Sequence, residues 1–242
     1  MVLVKGELQR LNKYNVTSIS ILVAIIWGLI LYFVDATALE SMLPFILLLD
    51  ASMMSVMYIG SVMFFEKTES TISTMLVTPA TSSELVLSKV LANTIHNMFS
   101  SALIIVVFYF VRDVELNWFL IFLGIIATTT FFTIAGLYLA YFQKNFTGML
   151  VNIMMFSFAL LIPTALYEFG VLTGDAWKYV LLINPLQAGA ESIGAGFTGY
   201  FDFQETWIYI LSISYMIIGS VLVYKLLVLP KFHDYAIKQS GV

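Results

Sequence analysis

Few groups in this chain could do chemistry, and most lie where polar groups are costly. Asp50 sits in the middle of an apolar run, where a carboxylate costs about 2.5–3.5 kcal/mol on insertion scales. Such a residue lines a path or anchors a neighbouring helix. In the structural case it is protonated and bonded to nearby Ser52, Ser55 or backbone. Perturbed carboxylates serve both roles, and both stay open. Asn93, His96 and Asn97 fall on one helical face, which meets either a helix bundle or the inner mouth of a path. His96 has no evident nucleophile or base beside it, so no intramembrane enzyme takes shape. The other histidine is His233, and cysteine is absent. No metal site and no disulfide framework are therefore expected. No glycine precedes a lysine anywhere in the chain, so a phosphate-cradling Gly-Lys-Ser/Thr loop is missing.

The longest polar stretch runs from Glu66 to Lys89 and reads EKTESTISTMLVTPATSSELVLSK. Thr68 and Thr71 are positioned to cap a short helix, with Ile72, Met75 and Leu76 along one face. Thr78-Pro79 stops that helix. Ser82 or Ser83 then caps a second one, which continues through Glu84 and Lys89. The expected product is a helix–turn–helix elbow. Its acidic and hydroxyl groups face water, and its apolar face is available to a partner. Length alone would equally suit a plain connecting hairpin.

The elements that position these groups follow from composition. The 242 residues are 60% hydrophobic and 11% charged, with a mean hydropathy of +0.95. A soluble domain carries about a quarter charged residues. This chain belongs in a bilayer, and an all-α membrane protein is expected. Six runs approach the roughly 20 apolar residues that a spanning helix needs: Val16–Val34, Ser41–Phe65, Val90–Val111, Trp118–Phe142, Gly148–Tyr167 and Trp207–Val228. The first run is long enough to span and no small-residue cleavage site follows it, so it does not read as a signal peptide.

Orientation comes from the basic residues. With the N-terminus inside, Lys5, Arg10, Lys13, Lys67, Lys89, Lys144, Lys225, Lys231 and Lys238 are cytoplasmic, against Arg112 and Lys178 outside. The outer loops hold Asp35, Glu40, Asp113, Glu115, Glu168, Asp175, Glu191, Asp202 and Glu205. The positive-inside rule puts both termini and the elbow in the cytoplasm. Ahead of the first span, Val4, Leu8 and Leu11 share one face of an amphipathic helix expected on the inner membrane surface. Pro163 is expected to kink or end the fifth span. Beyond it, the short apolar piece Trp177–Ile183, the breaker Asn184-Pro185 and a run of glycines (Gly189, Gly194, Gly196 and Gly199) suggest a helical element dipping into the outer leaflet.

Several of these residues together resemble the signature of the ABC-2 family of ABC-transporter permeases. They are Glu66-Lys67, Thr71-Ile72, Thr78-Pro79, Glu84 and Lys89, followed later by Asn184-Pro185-Leu186 and Glu191. Ser70 departs from a common glycine and Gly194 from a common arginine. The resemblance implies six transmembrane helices, a surface N-terminal helix, a cytoplasmic coupling helix between the second and third spans, and a broken or re-entrant outer segment between the fifth and sixth. It implies a plasma-membrane export permease that is not itself an enzyme. ATP and Mg would bind a separate ABC ATPase. That subunit would dock on Glu66, Lys67, Glu69, Thr71, Ile72, Met75, Thr78, Pro79 and Glu84.

One copy has too few helices to enclose a path, so a second copy is expected, most simply as a two-fold homodimer. Asp50, Met57, Asn93, His96 and Asn97 are the candidate path. Pro163, Asn184, Pro185 and Glu191 are the candidate outer gate. The spans lack repeated charges, so the cargo should be apolar or amphipathic: a toxin or antimicrobial peptide, or a hydrophobic drug. Lipid, haem and polysaccharide exporters share the fold. No nucleic-acid partner is expected. The contrasting reading is an ATP-independent channel or ion-coupled carrier centred on Asp50.

Overall fold

A computed structural model of the chain describes residues 1–33, 36–111, 116–197 and 203–239. Val34, Asp35, Arg112, Asp113, Glu115, Gly199 and Asp202 lie outside the described residues, as do the side chains of Glu40, Leu76, Asp175, Lys178, Glu205, His233 and Lys238. Every regular element among the described residues is a helix. Helix α1 (Val2–Lys13) turns through Asn15, whose φ of 60° an asparagine tolerates better than most residues. It meets α2 (Val16–Phe33) at a bend of 63°. The stripe of Leu11, with Val4 and Leu8, packs on Tyr58, Val62 and Ala92. The expected lipid-facing stripe is thus turned onto the protein.

Helix α3 (Ala36–Leu49) runs through a wide π-turn at Asp50–Met54 into α4 (Ser55–Thr68). A short α5 (Thr71–Leu76) follows, then α6 (Ser82–Val111) and α7 (Trp118–Ala140). Next come α8 (Phe146–Glu168), α9 (Asp175–Leu181) and α10 (Pro185–Gly194). The chain closes with α11 (Phe203–Val223), a second π-turn at Tyr224–Val228, and α12 (Leu229–Gln239). Among the described residues five helical stretches are long and apolar enough to cross a membrane, and α1 with α2 makes a sixth if the bent pair is one span.

The core gathers around α7. Ile121, Ile125 and Phe132 meet Leu43 and Leu47 of α3, Ile104 and Phe108 of α6, and Leu186 and Ile193 of α10. Gly124 lets α10 lie directly on α7: a Cβ there would sit 2.5 Å from the Ser192 carbonyl oxygen. By contrast α2, α8 and α11 leave rows such as Leu22–Ile25–Leu29, Val151–Met155–Phe158 and Ile210–Ile217–Val221 uncovered. Water would not tolerate such rows; lipid or another copy would.

At two helix ends the structure narrows the expectation: of a kink or an end at Pro163 it excludes the end, and the last helix runs on past Val228. Pro163 does not end α8, which runs on to Glu168. Proline removes one donor, and the neighbouring chain braces that turn: Asn184 Nδ2 donates to the Leu160 carbonyl (2.8 Å) and to Thr164 Oγ1 (3.0 Å). The helix of the last run does not stop at Val228, and its path continues into α12. Lys225 sits in the π-turn between α11 and α12. Pro230 is the second residue of α12, just past the π-turn.

Candidate functional site

The polar segment folds as an elbow between α4 and α6. Glu69 ends α4, and Ser70 reverses the chain with φ 56° in the left-handed region. A side chain is strained there, which is why glycine suits the position. Helix α5 then makes little more than one turn and stops before Thr78-Pro79. The expected caps are corrected. Thr68 Oγ1 donates to the Phe65 carbonyl and Thr71 Oγ1 to the Glu66 carbonyl, so neither caps α5. Helix α6 is capped by Thr81, not by Ser82 or Ser83. Thr81 N and Oγ1 donate to Glu84 Oε2 at 2.8 and 2.9 Å, and Glu84 N returns a bond to Thr81 Oγ1 at 3.3 Å. This reciprocal box was legible as Thr-x-x-Glu.

The faces of the elbow differ from expectation. Ile72 and Met75 do not await a partner; they are buried against Phe232, Tyr235 and Ala236 of α12. Glu66 does not face water and is fully buried. Lys89 Nζ reaches Glu66 Oε1 at 2.5 Å and Glu7 Oε2 at 3.1 Å. Arg10 Nη1 reaches Glu7 Oε1 at 2.6 Å and Glu66 Oε1 at 3.2 Å. Two carboxylates and two cations from α1, α4 and α6 thus meet at the root of the elbow. Their pairing is what makes burial tolerable. The polar face of α1, carrying Glu7 and Arg10, supplies half of it.

At the rim, Lys67 Nζ donates to the Gln143 carbonyl at 3.0 Å. Glu69 accepts from Lys13 Nζ at 2.8 Å and from the Tyr14 hydroxyl at 2.9 Å. These two bonds hold the Glu69 carboxyl below its ordinary value. The Tyr14 hydroxyl is pushed up by partial burial and by that same carboxylate. What remains outward is a blunt tip: Thr74, Val77, Thr78, Pro79 and Glu84, with Val77 86% exposed.

The mid-helix candidates sit in a different environment. Asp50 does not pair with Ser52 or Ser55. Its two carboxyl oxygens accept from Ser100 Oγ (3.0 Å) and Ser101 Oγ (2.7 Å) of α6. Ser52 donates to the Leu48 carbonyl, and Ser55 lies 2.8 Å from Thr133 Oγ1. Asn97 Nδ2 donates to the Asp50 carbonyl (3.0 Å), and Asn97 Oδ1 accepts from Thr129 Oγ1 (3.2 Å). Asn93 Nδ2 donates to Ser55 Oγ (2.9 Å) and Thr133 Oγ1 (2.8 Å). His96 Nε2 is 3.4 Å from Ser20 Oγ, and its ring stands near-perpendicular to that of Tyr58 with centroids 5.4 Å apart. These residues form one buried seam through α2, α4, α6 and α7. Met57 stands apart, on an exposed side of α4.

The residues expected at an outer gate lie where α8 meets α10. Asn184 caps α10, its Oδ1 accepting from Leu186 N at 3.0 Å, and Pro185 opens that helix. Gln187, which sequence reasoning missed, bridges Glu168 (2.8 Å) and Glu191 (3.3 Å). Its spacing of four before Glu191, on the first turn after the Asn184-Pro185 start, is the signal that could have found it. Gly194 closes α10 with open space around it. Among the described residues no acidic, histidine or cysteine cluster could hold a metal ion.

A search of curated proteins finds no match. A comparison with protein families matches residues 1–198, which include the elbow and α10, to the ABC-2 type transporter family. That family supplies the membrane component of ABC transporters and normally works with an ABC ATPase. With its all-helical architecture and apolar spans, the chain is a multi-pass membrane protein and belongs to the ABC-2 type transporter family.

Proposed function

We propose that this chain is the permease subunit of an ATP-driven exporter. It crosses the plasma membrane six times with both termini in the cytoplasm and works as a two-fold pair. A separate ABC ATPase, holding ATP and Mg, docks on the blunt tip of the elbow. Val77, Thr78, Pro79 and Glu84 make that contact, while Glu66, Lys67, Thr71, Ile72 and Met75 hold the tip from behind. Glu69 links the tip to α1. The observation that carries this reading is the elbow itself: a small exposed tip on a root of buried, paired charges. A mere connection needs no such root. A lever does, because force applied at the tip must reach the spanning helices.

Cargo moves between the two copies, along faces that a single copy leaves uncovered, Met57 among them. The outer cluster of Pro163, Asn184, Pro185 and Glu191 gates the exit. The seam of Asp50, Asn93, His96 and Asn97 borders this path and fixes the helices that form it. Since no span carries repeated charges, the cargo is an apolar or amphipathic molecule, a toxin or antimicrobial peptide or a hydrophobic drug. Enclosure of Asp50 by two serines weighs against a carrier that cycles protons or ions through it.

The test is co-purification and transport in vesicles. Val77→Asp with Thr78→Ala should weaken ATPase association by about tenfold or more, as for a central interface anchor, and abolish ATP-dependent movement of a fluorescent amphipathic peptide. Unchanged association and transport would remove the elbow from the coupling. Transport that follows membrane potential without an ATPase would favour the carrier. Movement of labelled lipid, haem or polysaccharide instead of peptide or drug would reassign the cargo.

A further inference from the structure

The apolar face of α5 is covered by the chain's own α12, and that cover is continuous with a spanning helix. Val228, Phe232, Tyr235 and Ala236 fall on one side of the helical path and are all buried. They pack with Ile72 and Met75 of α5, Leu85 and Val86 of α6, and Leu137 and Ala140 of α7. Polar pins reinforce the contact. The Tyr224 and Ser83 hydroxyls are 2.6 Å apart, and the Tyr235 hydroxyl donates to the Met63 carbonyl at 3.4 Å. The Tyr235 and Tyr141 rings stack with centroids 4.7 Å apart. Lys231 reaches the Tyr138 hydroxyl at 3.0 Å. In the other direction α12 runs back through the π-turn into α11 without a break in helix. Most of the spanning stretch that includes α11 is uncovered.

We propose that α12 is a strut carrying movement of the elbow into α11. The inference rests on the reading of the elbow as the ATPase contact. The elbow is joined by the chain itself to α4 and α6. Through α12 it gains a third output, so that one push at the tip displaces three spanning helices together. A simple cover for Ile72 and Met75 would not need helical continuity with α11. A strut does, because displacement passes along a helix axis only while the chain keeps a helical course.

The chain has no cysteine, so single reporters are clean. Leu91→Cys on α6 and Leu222→Cys on α11, both exposed, each take an environment-sensitive fluorophore. The full chain with its co-purifying ATPase in lipid vesicles is then given ATP and vanadate. Both reporters should respond. Inserting Gly-Gly between Val228 and Leu229 keeps the cover but cuts the strut. The Leu222 response should fall by about tenfold, within the range of a lost coupling, while the Leu91 response persists. Phe232→Ala, which loosens α12 without cutting it, should lower the Leu222 response in the same sense. If neither variant lowers it, the strut is overturned and α12 is only a cover. If no ATPase co-purifies and neither reporter responds in the unaltered chain, the permease reading itself falls, and the strut with it.

Discussion

The root of the elbow and the seam at Asp50 both bury polar groups, by opposite means. At the root, Glu7, Arg10, Glu66 and Lys89 meet as acidic and basic side chains, each within reach of two of the opposite kind. In the seam the carboxyl group of Asp50 meets two serine hydroxyls, at 2.7 and 3.0 Å, while the Asn97 amide holds the backbone carbonyl of the same residue at 3.0 Å. Charge pairs act over distance and allow partners to be exchanged. Hydroxyl and amide bonds are short-ranged and fail with small displacement. The root is therefore suited to hold α1, α4 and α6 together while they shift. The seam is suited to fix register among helices that move as one.

Removing one charge from the root should do the most damage. Lys89→Met leaves Glu7 and Glu66 buried with only Arg10 between them, and breaking a buried pair costs about 3–5 kcal/mol. Thermal unfolding in detergent should show a large loss of folded protein. A near-neutral result would mean that water or lipid headgroups reach the root. In the seam, Asp50→Asn keeps the side chain's shape and one acceptor oxygen. Its cost should be smaller, about 1–3 kcal/mol for exchanging hydrogen bonds to a carboxyl group for weaker ones. Transport by this variant should keep its pH profile. A variant that folds well but loses transport over part of the pH range would turn Asp50 from an anchor into a path group. A larger cost for Asp50→Asn than for Lys89→Met would invert the contrast between the two regions.

Much of the architecture is legible in the amino-acid order. Apolar run length marks the spanning helices, Thr78-Pro79 marks the stop after α5, and Asn184-Pro185 marks a helix boundary. The root is not legible by residue type, because type alone assigns Glu66 and Lys89 to water. The available clue is positional: they close the two ends of the polar segment, where adjacent antiparallel helices bring such ends together. The π-turn at Asp50 leaves no trace in hydropathy, since one extra residue per turn does not alter an apolar run. It decides, however, which partners Asp50 meets. The apolar spacing of Val228, Phe232, Tyr235 and Ala236 is readable, but it runs past the point where hydropathy alone ends the last span.

Smaller changes probe the elbow beside the root. Ser70 holds φ 56° at the mouth of the elbow, and left-handed backbone costs a residue with a Cβ roughly 1–2 kcal/mol. Ser70→Gly relieves that strain but adds unfolded-state entropy. The net should be a gain of about 1 kcal/mol or less, seen as a modest rise in Tm. A fall would show that the Ser70 side chain contributes more than the strain it bears.

The weakest joint is Glu69 with Lys13 and Tyr14 at the elbow rim. Its carboxyl is held below the ordinary glutamate value of 4.5, first by the Lys13 bond and then by the Tyr14 bond. A depressed folded value means that the stabilising contribution is complete above 4.5 and is lost as the pH falls below it toward the folded value. Being a surface pair, it is also screened by salt. Acidification from pH 6 to about 4 should loosen α1 from the elbow slightly, read as faster proteolysis at Lys13. Glu69→Gln should remove that pH dependence and leave the Lys89 root intact. If the variant keeps the full pH dependence, the acid response lies at the root instead, and the charge cluster, not the rim, is the pH-sensitive part of the elbow.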